Sequence, residues 1–354
     1  MDQGSRVTGI ETIGIDLGDR TSHYVVVDGS GEVVEEGRIR TRAEDLARRF
    51  ENVPRRRVIL EVGTQSSWVA RALAEWGHEV VLANPRQVPL IHGSRDKSDP
   101  VDAESLARVG RLDPALLHPV VPRSARTMVD RSRLRGRDAL VRARTLLVNH
   151  VRGSVKVHGE RVPACSAPAF ARRAREALSP DLRRILEPLL QTIEQLTVSI
   201  RTTDGELEQL AQERYPVTTQ LREVTGVGVV TALAFVLTIE DPERFTSSRS
   251  VGSYLGLRPR RAQSGDRDPQ LGITKEGDPY TRRVLVNAAQ YILGPFGPDT
   301  DLRRFGLRLS ERGGKAAKKR AVVAVARKLA VLLHRLWITG EPYEPLREAS
   351  RRAA

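Results

Sequence analysis

The sequence contains a single cysteine, Cys165, which excludes an internal disulfide framework and any zinc site built from clustered cysteines. It also lacks an apolar run approaching the roughly 20 residues that a helix needs to cross a bilayer. The first residues, Met1 to Arg6, contain no apolar segment of the signal-peptide type. From these absences we expect a soluble cytoplasmic protein with no membrane partner.

Among the charged residues, lysine is scarce and acidic residues are fewer than basic ones. The 354-residue chain has 44 acidic against 58 basic residues, which gives a net charge of +14, and its pI is about 10.6. Seven of the basic residues are lysine, which leaves 51 arginines. A GC-rich genome accounts for the arginine preference as readily as function does, but it does not account for the net charge. That charge favours a polyanionic partner, because neutralising phosphates releases counterions, and arginine pairs with phosphate in a forked geometry.

Residues 10–112 alternate between strand-like and helix-like patterns. The length suggests two or three domains, and a hydrophobic content of 40% allows each a core. Strands are predicted at 13–16, 24–27, 33–39, 58–60 and 79–82, and helices at 43–50, 68–76 and 101–109. Glycine-rich turns between the first three strands predict two successive hairpins. The order βββαβαβα is that of an α/β ribonuclease-H-like domain, whereas a Rossmann domain would open βαβ.

The rest of the chain is mainly helical in pattern. Three prolines mark residues 113–124 as a linker, and long helices are predicted at 128–151 and 182–213, with an irregular segment at 152–178 between them. Apolar residues of the second long helix recur at heptad-like spacing. Region 125–215 is therefore predicted to form an antiparallel helical hairpin or an oligomeric coiled coil. A third, mainly α domain is predicted over 217–340, followed by a tail at 341–354.

Four carboxylates in the first third of the chain are placed where they can converge. Asp16 and Glu61 each end a short apolar run, and so each is predicted at the end of a strand. Asp99 and Asp102 are three residues apart and share one face of a helix. Carboxylate oxygens suit Mg²⁺ or Mn²⁺, and two such ions can clamp the attacking and leaving oxygens of a phosphodiester. In the alternative interpretation, Asp99 caps a helix and Asp102 only complements its dipole.

A glycine-flanked loop in the last third carries a serine among arginines. Arg258, Arg260 and Arg261 precede Ser264, and Gly265 follows it. A serine in this setting can attack a phosphodiester while the arginines balance the charge that develops. Taken without other context, such a serine is more often an ordinary turn residue.

Further residues are candidate nucleic-acid contacts. Gly226 and Gly228 precede an apolar helix, and this pattern resembles the hairpin of a helix-hairpin-helix element, whose glycine amides bind phosphate. A plain turn is the alternative. The other candidates are basic residues, for each of which a solvated surface charge is the alternative: Lys97, Lys275, Arg282, Arg283, Lys315, Lys318 and Lys319. The histidines show no metal-ligand spacing, and we assign them no role.

Several short motifs, taken together in order, resemble one protein family. They are Gly14-Ile-Asp16, Leu60-Glu-Val-Gly-Thr64, Asn84-Pro85, Lys97-Ser-Asp-Pro-Val-Asp-Ala103, Val224-Thr-Gly-Val-Gly228, Leu255-Gly-Leu-Arg-Pro259, Ser264-Gly265, Ile273-Thr-Lys-Glu-Gly277 and a basic, alanine-rich last helix. This set, over about residues 10–340, is similar to the DEDD transposases of the IS110 insertion-sequence family. Asp278 departs from the family pattern, where asparagine is usual, and Thr281 stands where an apolar residue is usual.

The resemblance implies a RuvC-like catalytic domain at 10–112, a helical coiled-coil insertion at 125–215 and a C-terminal transposase domain at 217–340. It implies a nucleoid-associated DNA recombinase that acts on donor and target DNA and is guided by a noncoding bridge RNA. It also implies that Asp16, Glu61, Asp99 and Asp102 bind metal ions, and that Ser264 is a nucleophile that forms a covalent link to DNA. Members of this family form dimers and tetramers in which different protomers complete one active site.

Three other functions remain open on the sequence. A RuvC-like junction nuclease would cut with metal-activated water and would need the four acids but not Ser264. An actin-like ATPase or sugar kinase would bind phosphate through Gly14 to Gly18 and the hairpin that follows, but the sequence has no later Asp-x-Gly-Gly motif of the kind that class needs. A non-enzymatic nucleic-acid-binding protein would use the charge alone and would not need the acids.

Overall fold

The computed structural model describes residues 10–84, 99–261, 271–311 and 313–347. The chain divides into two compact units, of which the first ends at Ala125 and the second begins at Arg126. Among the helices described, none combines the length and the apolar character that a membrane-spanning segment needs. Two candidate site residues, Lys97 and Ser264, lie outside the described residues.

The first unit is built around one five-stranded sheet. Its elements in chain order are β1 Thr12–Asp16, β2 Thr21–Val27, β3 Val33–Arg40, α1 Ala43–Phe50, β4 Arg57–Glu61, α2 Ser66–Glu75, β5 Glu79–Ala83 and α3 Asp99–Leu112. The strands lie in the order β3-β2-β1-β4-β5. The first three pair antiparallel, whereas β4 is parallel to β1 and β5 is parallel to β4. Across the residues that the structure describes, the element order is the βββαβαβα order predicted from the sequence.

Helices cover both faces of the central strands. Leu46 of α1 and Leu73 of α2 are buried in one core with Leu60, and Leu106 of α3 is buried in another with Ile59. Ile59 and Leu60 are neighbours on β4 and point to opposite faces, because side chains alternate along a strand. A strand buried on both faces has a continuous apolar sequence, which is the pattern that predicted β4.

The proline-rich segment after α3 packs on the edge of the sheet. Pro114–Leu117 forms a 3₁₀ turn, and Leu117 is fully buried. The carbonyl of Leu117 accepts a hydrogen bond from the amide of Asn84, and the amide of Val120 donates to the carbonyl of Leu82. This segment, predicted as a linker, therefore belongs to the first unit. Prolines are compatible with an edge position, since an edge strand leaves some of its amides outside the ladder.

The second unit consists of helices, the first of which begins at the boundary between the units. In chain order they are α4 Ala125–Val157, α5 Phe170–Ala177, α6 Pro180–Arg214, α7 Val217–Leu221, α8 Val229–Ile239, α9 Ser248–Tyr254, α10 Pro279–Leu293, α11 Asp301–Ser310 and α12 Gly314–Thr339. A large core surrounds α12, where Val325, Leu329 and Leu333 are fully buried.

The two long helices, α4 and α6, lie side by side and antiparallel. Arg137 of α4 forms an ion pair with Asp204 of α6 at 2.8 Å. Farther along α4, Arg144 Nη1 donates to Thr197 Oγ1 at 3.2 Å. Later residues of α4 therefore contact earlier residues of α6, as in an antiparallel pair. This is the antiparallel hairpin of the two predicted alternatives. A coiled coil formed with a second chain stays a prediction.

Three segments differ from the sequence prediction. Residues 152–178, predicted to be irregular, contain the end of α4 and all of α5, whose Phe170 is fully buried. Helix α11 was not predicted, although it is an amphipathic helix whose Leu302 and Gly306 are buried. The predicted tail is packed as far as it is described, since the carbonyl of Pro345 accepts the amide of Asp301 at 2.8 Å and Tyr343 packs against the core around α12.

Asp278 joins two helices of the second unit through its carboxylate. Its Oδ1 accepts the amide of Thr281 at 2.7 Å and so caps α10, while its Oδ2 accepts Arg131 at 2.6 Å and Arg135 at 2.5 Å. The hydroxyls of Thr281 and Thr238 are 2.7 Å apart, and Arg131 also donates to Thr238 at 2.9 Å. The two departures from the family pattern, Asp278 and Thr281, therefore belong to one polar network that ties α10 to α4.

Candidate functional site

The four candidate carboxylates all belong to the first unit. Asp16 is the last residue of β1 and Glu61 is the last residue of β4, which are neighbouring parallel strands. Asp99 and Asp102 lie in the first turn of α3. The charges of all three partners act on Asp16. The structure therefore brings the four candidates into one region, while their catalytic role stays a prediction.

Two glycine contacts explain why α3 lies so close to the sheet. A Cβ atom at Gly14 would be 2.0 Å from the carbonyl oxygen of Ala103 and 2.6 Å from the amide nitrogen of Ala107. A Cβ atom at Gly110 would be 2.3 Å from Cγ1 of Ile59 on β4. A Cβ atom at Gly14 would overlap the backbone of α3, and one at Gly110 would overlap the side chain of Ile59, so glycine at both positions permits the close approach of helix and sheet. The first turn of α3, with its acid pair, is thereby held near the ends of β1 and β4.

The pKa of Asp16 reflects this crowding. Burial raises the pKa of Asp16, and the negative charges of Asp99, Asp102 and Glu61 raise it further, to about 6, against a smaller opposing effect of His23. Both causes disfavour the ionised form of a carboxyl group. A carboxyl group whose pKa is raised by burial together with like charges is typical of a functional site.

His23 belongs to this region although no sequence pattern predicts it there. It lies directly opposite Asp16 in the antiparallel pairing of β1 and β2. Its Nε2 atom is 3.7 Å from Oδ2 of Asp99, and its side chain is 23% exposed. The register of the hairpin is the only signal that could have found it, and that register depends on the length and shape of the turn at 17–20.

The donor chemistry of this region suits a hard divalent cation. Every candidate donor is a carboxylate oxygen, the ligand type that Mg²⁺ and Mn²⁺ prefer. The Oδ1 atom of Asp102 is buried and has no hydrogen-bond partner among the described residues, so a cation would satisfy it. In the described part of the chain, no three His, Cys, Asp or Glu side chains stand close enough to hold a metal ion. The carboxylates would therefore have to draw together around a cation, and their mutual repulsion opposes that movement when no cation is bound.

The glycine pair of the predicted hairpin connects α7 to α8. Gly226 has a φ of +83°, and a Cβ atom there would be 3.0 Å from the carbonyl oxygen of Ala288. Gly228 is the N-cap residue of α8, whose first turn has no side-chain cap. Both glycines line a groove of about 530 Å³ together with Arg137 and Tyr291. Uncapped amides at the start of a helix are suited to phosphate, and the predicted phosphate contact is compatible with this geometry.

The base of the loop that contains Ser264 is held by backbone hydrogen bonds. Pro259 and Ile273 form an antiparallel β-bridge, and the amide of Arg260 donates to the carbonyl of Gly272 at 2.9 Å. Ser264 itself lies outside the described residues. The loop has an exposed cationic flank, formed by Arg258, Arg260 and Arg261.

Two motif glycines bring the two sides of this loop together. A Cβ atom at Gly256 would be 2.3 Å from the amide nitrogen of Glu276, and one at Gly277 would be 2.1 Å from the carbonyl oxygen of Tyr254. Lys275, two residues before Gly277, is exposed and has a φ of 59°. Its amide donates to the carbonyl of Gly256 at 3.1 Å. The glycines of the Leu-Gly-Leu and Lys-x-Gly motifs are thus explained by close backbone packing.

Two further candidates, Arg282 and Arg283, are engaged within the chain. Arg282 Nη1 donates to the carbonyl oxygens of Leu255 at 3.0 Å and Glu276 at 2.5 Å. Arg283 forms an ion pair with Asp138 at 2.5 Å, and its side chain remains 42% exposed. Arg282 therefore holds the two sides of the Ser264 loop to α10, and its predicted contact with nucleic acid would compete with these bonds.

The predicted lysine cluster lies at the start of α12. Lys315, Lys318 and Lys319 are exposed, and none of them forms an ion pair with a described carboxylate. Lys315 is the second residue of the helix, where the positive end of the helix dipole disfavours a cation. A cation kept at this position costs stability unless an anion binds beside it, which favours the predicted contact with nucleic acid.

Comparison with known proteins connects these features. A model of the DEDD IS110 type, described as a transposase, matches residues 13–158, and a model described as the IS116/IS110/IS902 transposase family matches residues 218–301. The first match contains the four carboxylates, and the DEDD type implies the ribonuclease-H-like fold. The second match contains the hairpin glycines and Ser264.

Individual relatives are similar over most of the chain. The transposase for insertion sequence element IS1111A of Coxiella burnetii is 28% identical over 94% of this chain and 91% of its own length. The transposase for insertion sequence element IS1328 of Yersinia enterocolitica is 29% identical over 79% of this chain and 83% of its own. The pilin gene-inverting protein of Moraxella bovis is 26% identical over 77% and 78%, respectively.

Proposed function

The chain belongs to the IS110-type family of insertion-sequence transposases, and we propose that it cuts and exchanges strands between donor and target DNA. The observation that carries this proposal is the set of four carboxylates from two strand ends and one helix, inside the region that matches the DEDD model. A relative named for inverting a pilin gene supports strand exchange over cleavage alone.

The proposed metal ligands are Asp16, Glu61, Asp99 and Asp102. Bound Mg²⁺ or Mn²⁺ ions would polarise the scissile phosphate and stabilise charge on the attacking and leaving oxygens. The close contact of α3 with β1 at Gly14 positions the acid pair for this task. The raised pKa of Asp16 and the unsatisfied Oδ1 of Asp102 support the assignment, because a bound cation would offset the repulsion on Asp16 and give that Oδ1 atom a partner.

The proposed nucleophile is Ser264. Its Oγ atom would bond to the phosphorus of the scissile phosphodiester while the bond from phosphorus to one sugar oxygen breaks, and the hydroxyl proton would pass, directly or through solvent, to that departing oxygen. The guanidinium groups of Arg258, Arg260 and Arg261 flank the loop and would offset the added negative charge. A phosphodiester link to serine conserves the free energy of the bond that was cleaved. A hydroxyl group of another strand can then attack the phosphorus and displace the serine, so strand exchange needs no added energy source.

We propose further that several protomers act together, with the carboxylates of one and Ser264 of another completing one site. Ile185 and Val198 on α6 are 65% and 61% exposed, and they support a contact between copies along that helix. A noncoding bridge RNA would select the DNA. Sequencing the RNA that copurifies with the protein tests this part: a discrete RNA able to pair with donor and target supports it, and bulk cellular RNA contradicts it.

The serine assignment is tested by trapping the protein on DNA. Labelled donor DNA is incubated with the protein and Mg²⁺, denatured, and examined for a protein–DNA adduct. We expect an adduct with the wild-type protein and with Ser250→Ala, a partly exposed serine of the same unit, and none with Ser264→Ala. Cleavage that continues in Ser264→Ala without an adduct would favour the junction nuclease. Cleavage unaffected by loss of all four acids would contradict the metal site.

A further inference from the structure

One phenylalanine of this protein is presented to solvent. The chain has six phenylalanines. Phe50, Phe170 and Phe235 are fully buried, and two more are partly buried, whereas Phe296 is 83% exposed. It follows α10 in the segment Gly294-Pro-Phe-Gly-Pro298.

The loop around Phe296 is held firmly to the end of α10. Arg303 Nη1 donates to the carbonyl oxygens of Ile292 and Gly294, both at 2.6 Å. A Cβ atom at Gly297 would be 2.2 Å from the carbonyl oxygen of Ile292, so the chain doubles back tightly. Two prolines flank the phenylalanine and restrict the backbone further. The exposed ring is therefore presented by a braced loop.

The surroundings favour a nucleic acid as the partner of this ring. The second unit, from Arg126 onward, has 41 basic against 25 acidic residues, a surplus that attracts phosphate. The nearest acid in the loop, Asp299, is paired with Arg304 at 2.6 Å. The neighbours of Phe296 in the loop are glycine and proline, so no large side chain adjoins the ring in sequence. A single protruding apolar side chain on a cationic unit has the form of a wedge that enters a base step.

We propose that Phe296 inserts between neighbouring base pairs of duplex DNA bound to the second unit, and so unstacks and bends the duplex. This inference rests on the proposed function, because it takes DNA as the substrate. It assigns to the braced loop a task that neither the carboxylates nor Ser264 performs: deforming the DNA where the basic unit binds it. Pyrimidine–purine steps are the expected points of insertion, since they are the easiest to kink.

The test compares Phe296→Ala with Phe296→Trp on a short duplex that carries one TA step and a fluorophore at each end. Energy transfer between the fluorophores reports bending, and a fluorescent adenine analogue at the TA step reports unstacking. For Phe296→Ala we expect affinity to fall roughly tenfold, with loss of bending and of the unstacking signal. Phe296→Trp should retain both. The dependence of affinity on salt should not change, because no phosphate contact is removed.

Controls separate this inference from general effects. Val157→Ala removes another exposed apolar side chain of the same unit, one that is 85% exposed, and should leave affinity and bending unchanged. Thermal unfolding of Phe296→Ala should match the wild type, because the ring is not part of a core. Phe296→Ala that binds and bends the duplex like the wild type would overturn the proposal. So would a loss confined to single-stranded DNA, or a loss of self-association with DNA bending intact. A wild-type protein that neither binds nor bends the duplex would remove the proposed function along with this inference.

Discussion

The acids around Asp16 in the first unit and the buried acids of the second unit lie in opposite electrostatic surroundings. The first unit has 17 basic and 19 acidic residues, a net charge of −2, whereas the second has a net charge of +16. Asp16 in the first unit lies among three other carboxylates, and burial together with their charges raises its pKa to about 6. Asp278 in the second unit is also buried, which by itself would raise its pKa. The Thr281 amide and the guanidinium groups of Arg131 and Arg135 outweigh that effect and lower it.

This difference separates carboxylates that stabilise the fold from carboxylates that we propose to bind a cation. In the second unit, the fully buried Asp130 is bonded to Arg214 and accepts the hydroxyl of Tyr215 at 2.8 Å. Like Asp278, it is compensated by partners that the fold supplies. The acids around Asp16 are held in one region by the packing of α3 on β1, and the repulsion between them costs stability. A costly arrangement of this kind is expected where a protein must bind a cation.

The strongest test of the comparison is Asp16→Asn. The change removes a proposed metal ligand, so we expect recombination in cells to fall about a thousandfold or more. It also relieves repulsion between carboxylates. In metal-free buffer near neutral pH, the first unit should therefore become more stable, by on the order of 1 kcal/mol after allowance for solvent screening.

The stabilisation expected for Asp16→Asn should depend on pH. A pKa raised in the folded state means that the ionised carboxyl group destabilises the fold above that pKa. The advantage of Asp16→Asn should therefore be largest above about pH 6 and vanish as the pH falls below the usual pKa of 3.8. Asp19→Asn, at an exposed position of the same unit, is the control and should change neither activity nor stability. If Asp16→Asn lost both activity and stability, the idea that the charge of Asp16 destabilises the first unit would be contradicted.

A second test asks whether packing alone keeps the acids together. Gly14→Ala places a Cβ atom 2.0 Å from the backbone of α3, and we expect it to destabilise the first unit by about 3 kcal/mol or more. Urea unfolding followed by the fluorescence of Trp68 and Trp76 measures this. Gly63→Ala, where nothing lies within 4 Å of the added atom, should be nearly neutral. Equal stability of the two variants would show that the close approach at Gly14 is not needed.

The sequence predicted β1 and β4 clearly because these two strands lie inside the sheet and are buried. Strand β4 gives a continuous apolar run, and the ends of β1 and β4 carry Asp16 and Glu61, so fold and candidate acids followed from one pattern. His23 could not be found in this way. Its place opposite Asp16 depends on the register of a hairpin, and that register is fixed by turn geometry that composition does not report.

The second unit was harder to predict, because its polar contacts join residues far apart in the chain. The pattern of α10 predicts a helix, but not that Asp278 would bind Arg131 and Arg135 across more than 140 positions. Arg282 shows the same difficulty for a cation. Its position on a basic helix suggested contact with nucleic acid, whereas its guanidinium group binds two carbonyl oxygens of its own chain. Charge predicts that a unit binds polyanions; the fold decides which of its cations are available.

A third test concerns the compensated acid of the second unit. Asp278→Asn keeps a cap for α10 but removes the charge that faces Arg131 and Arg135, so we expect a loss of about 2 kcal/mol in the free energy of unfolding near neutral pH. Because the pKa of Asp278 is lowered in the folded state, its contribution is present above the usual value of 3.8 and is lost as the pH falls through the lowered one. The difference between variant and wild type in urea unfolding should therefore shrink in strong acid. Glu176→Gln, in an exposed ion pair, is the control and should show little change. A difference that does not vary with pH would mean that the charge of Asp278 does not stabilise this unit.

The smallest effect is expected at Lys315, a cation of the second unit. Lys315 lies at the start of α12, where the helix dipole disfavours it, so Lys315→Ala should leave the protein equally or slightly more stable. If the lysine contacts a phosphate, the slope of log affinity for duplex DNA against log salt should become shallower by about 0.9. Lys156→Ala, an exposed lysine near the end of α4, is the matched control and should leave the slope unchanged. An equal change in both variants would mean that the surplus charge of the second unit acts as a diffuse field. A change in Lys315→Ala alone would mean that the cation at the start of α12, like the acids around Asp16, is kept at some cost in stability for a ligand of opposite charge.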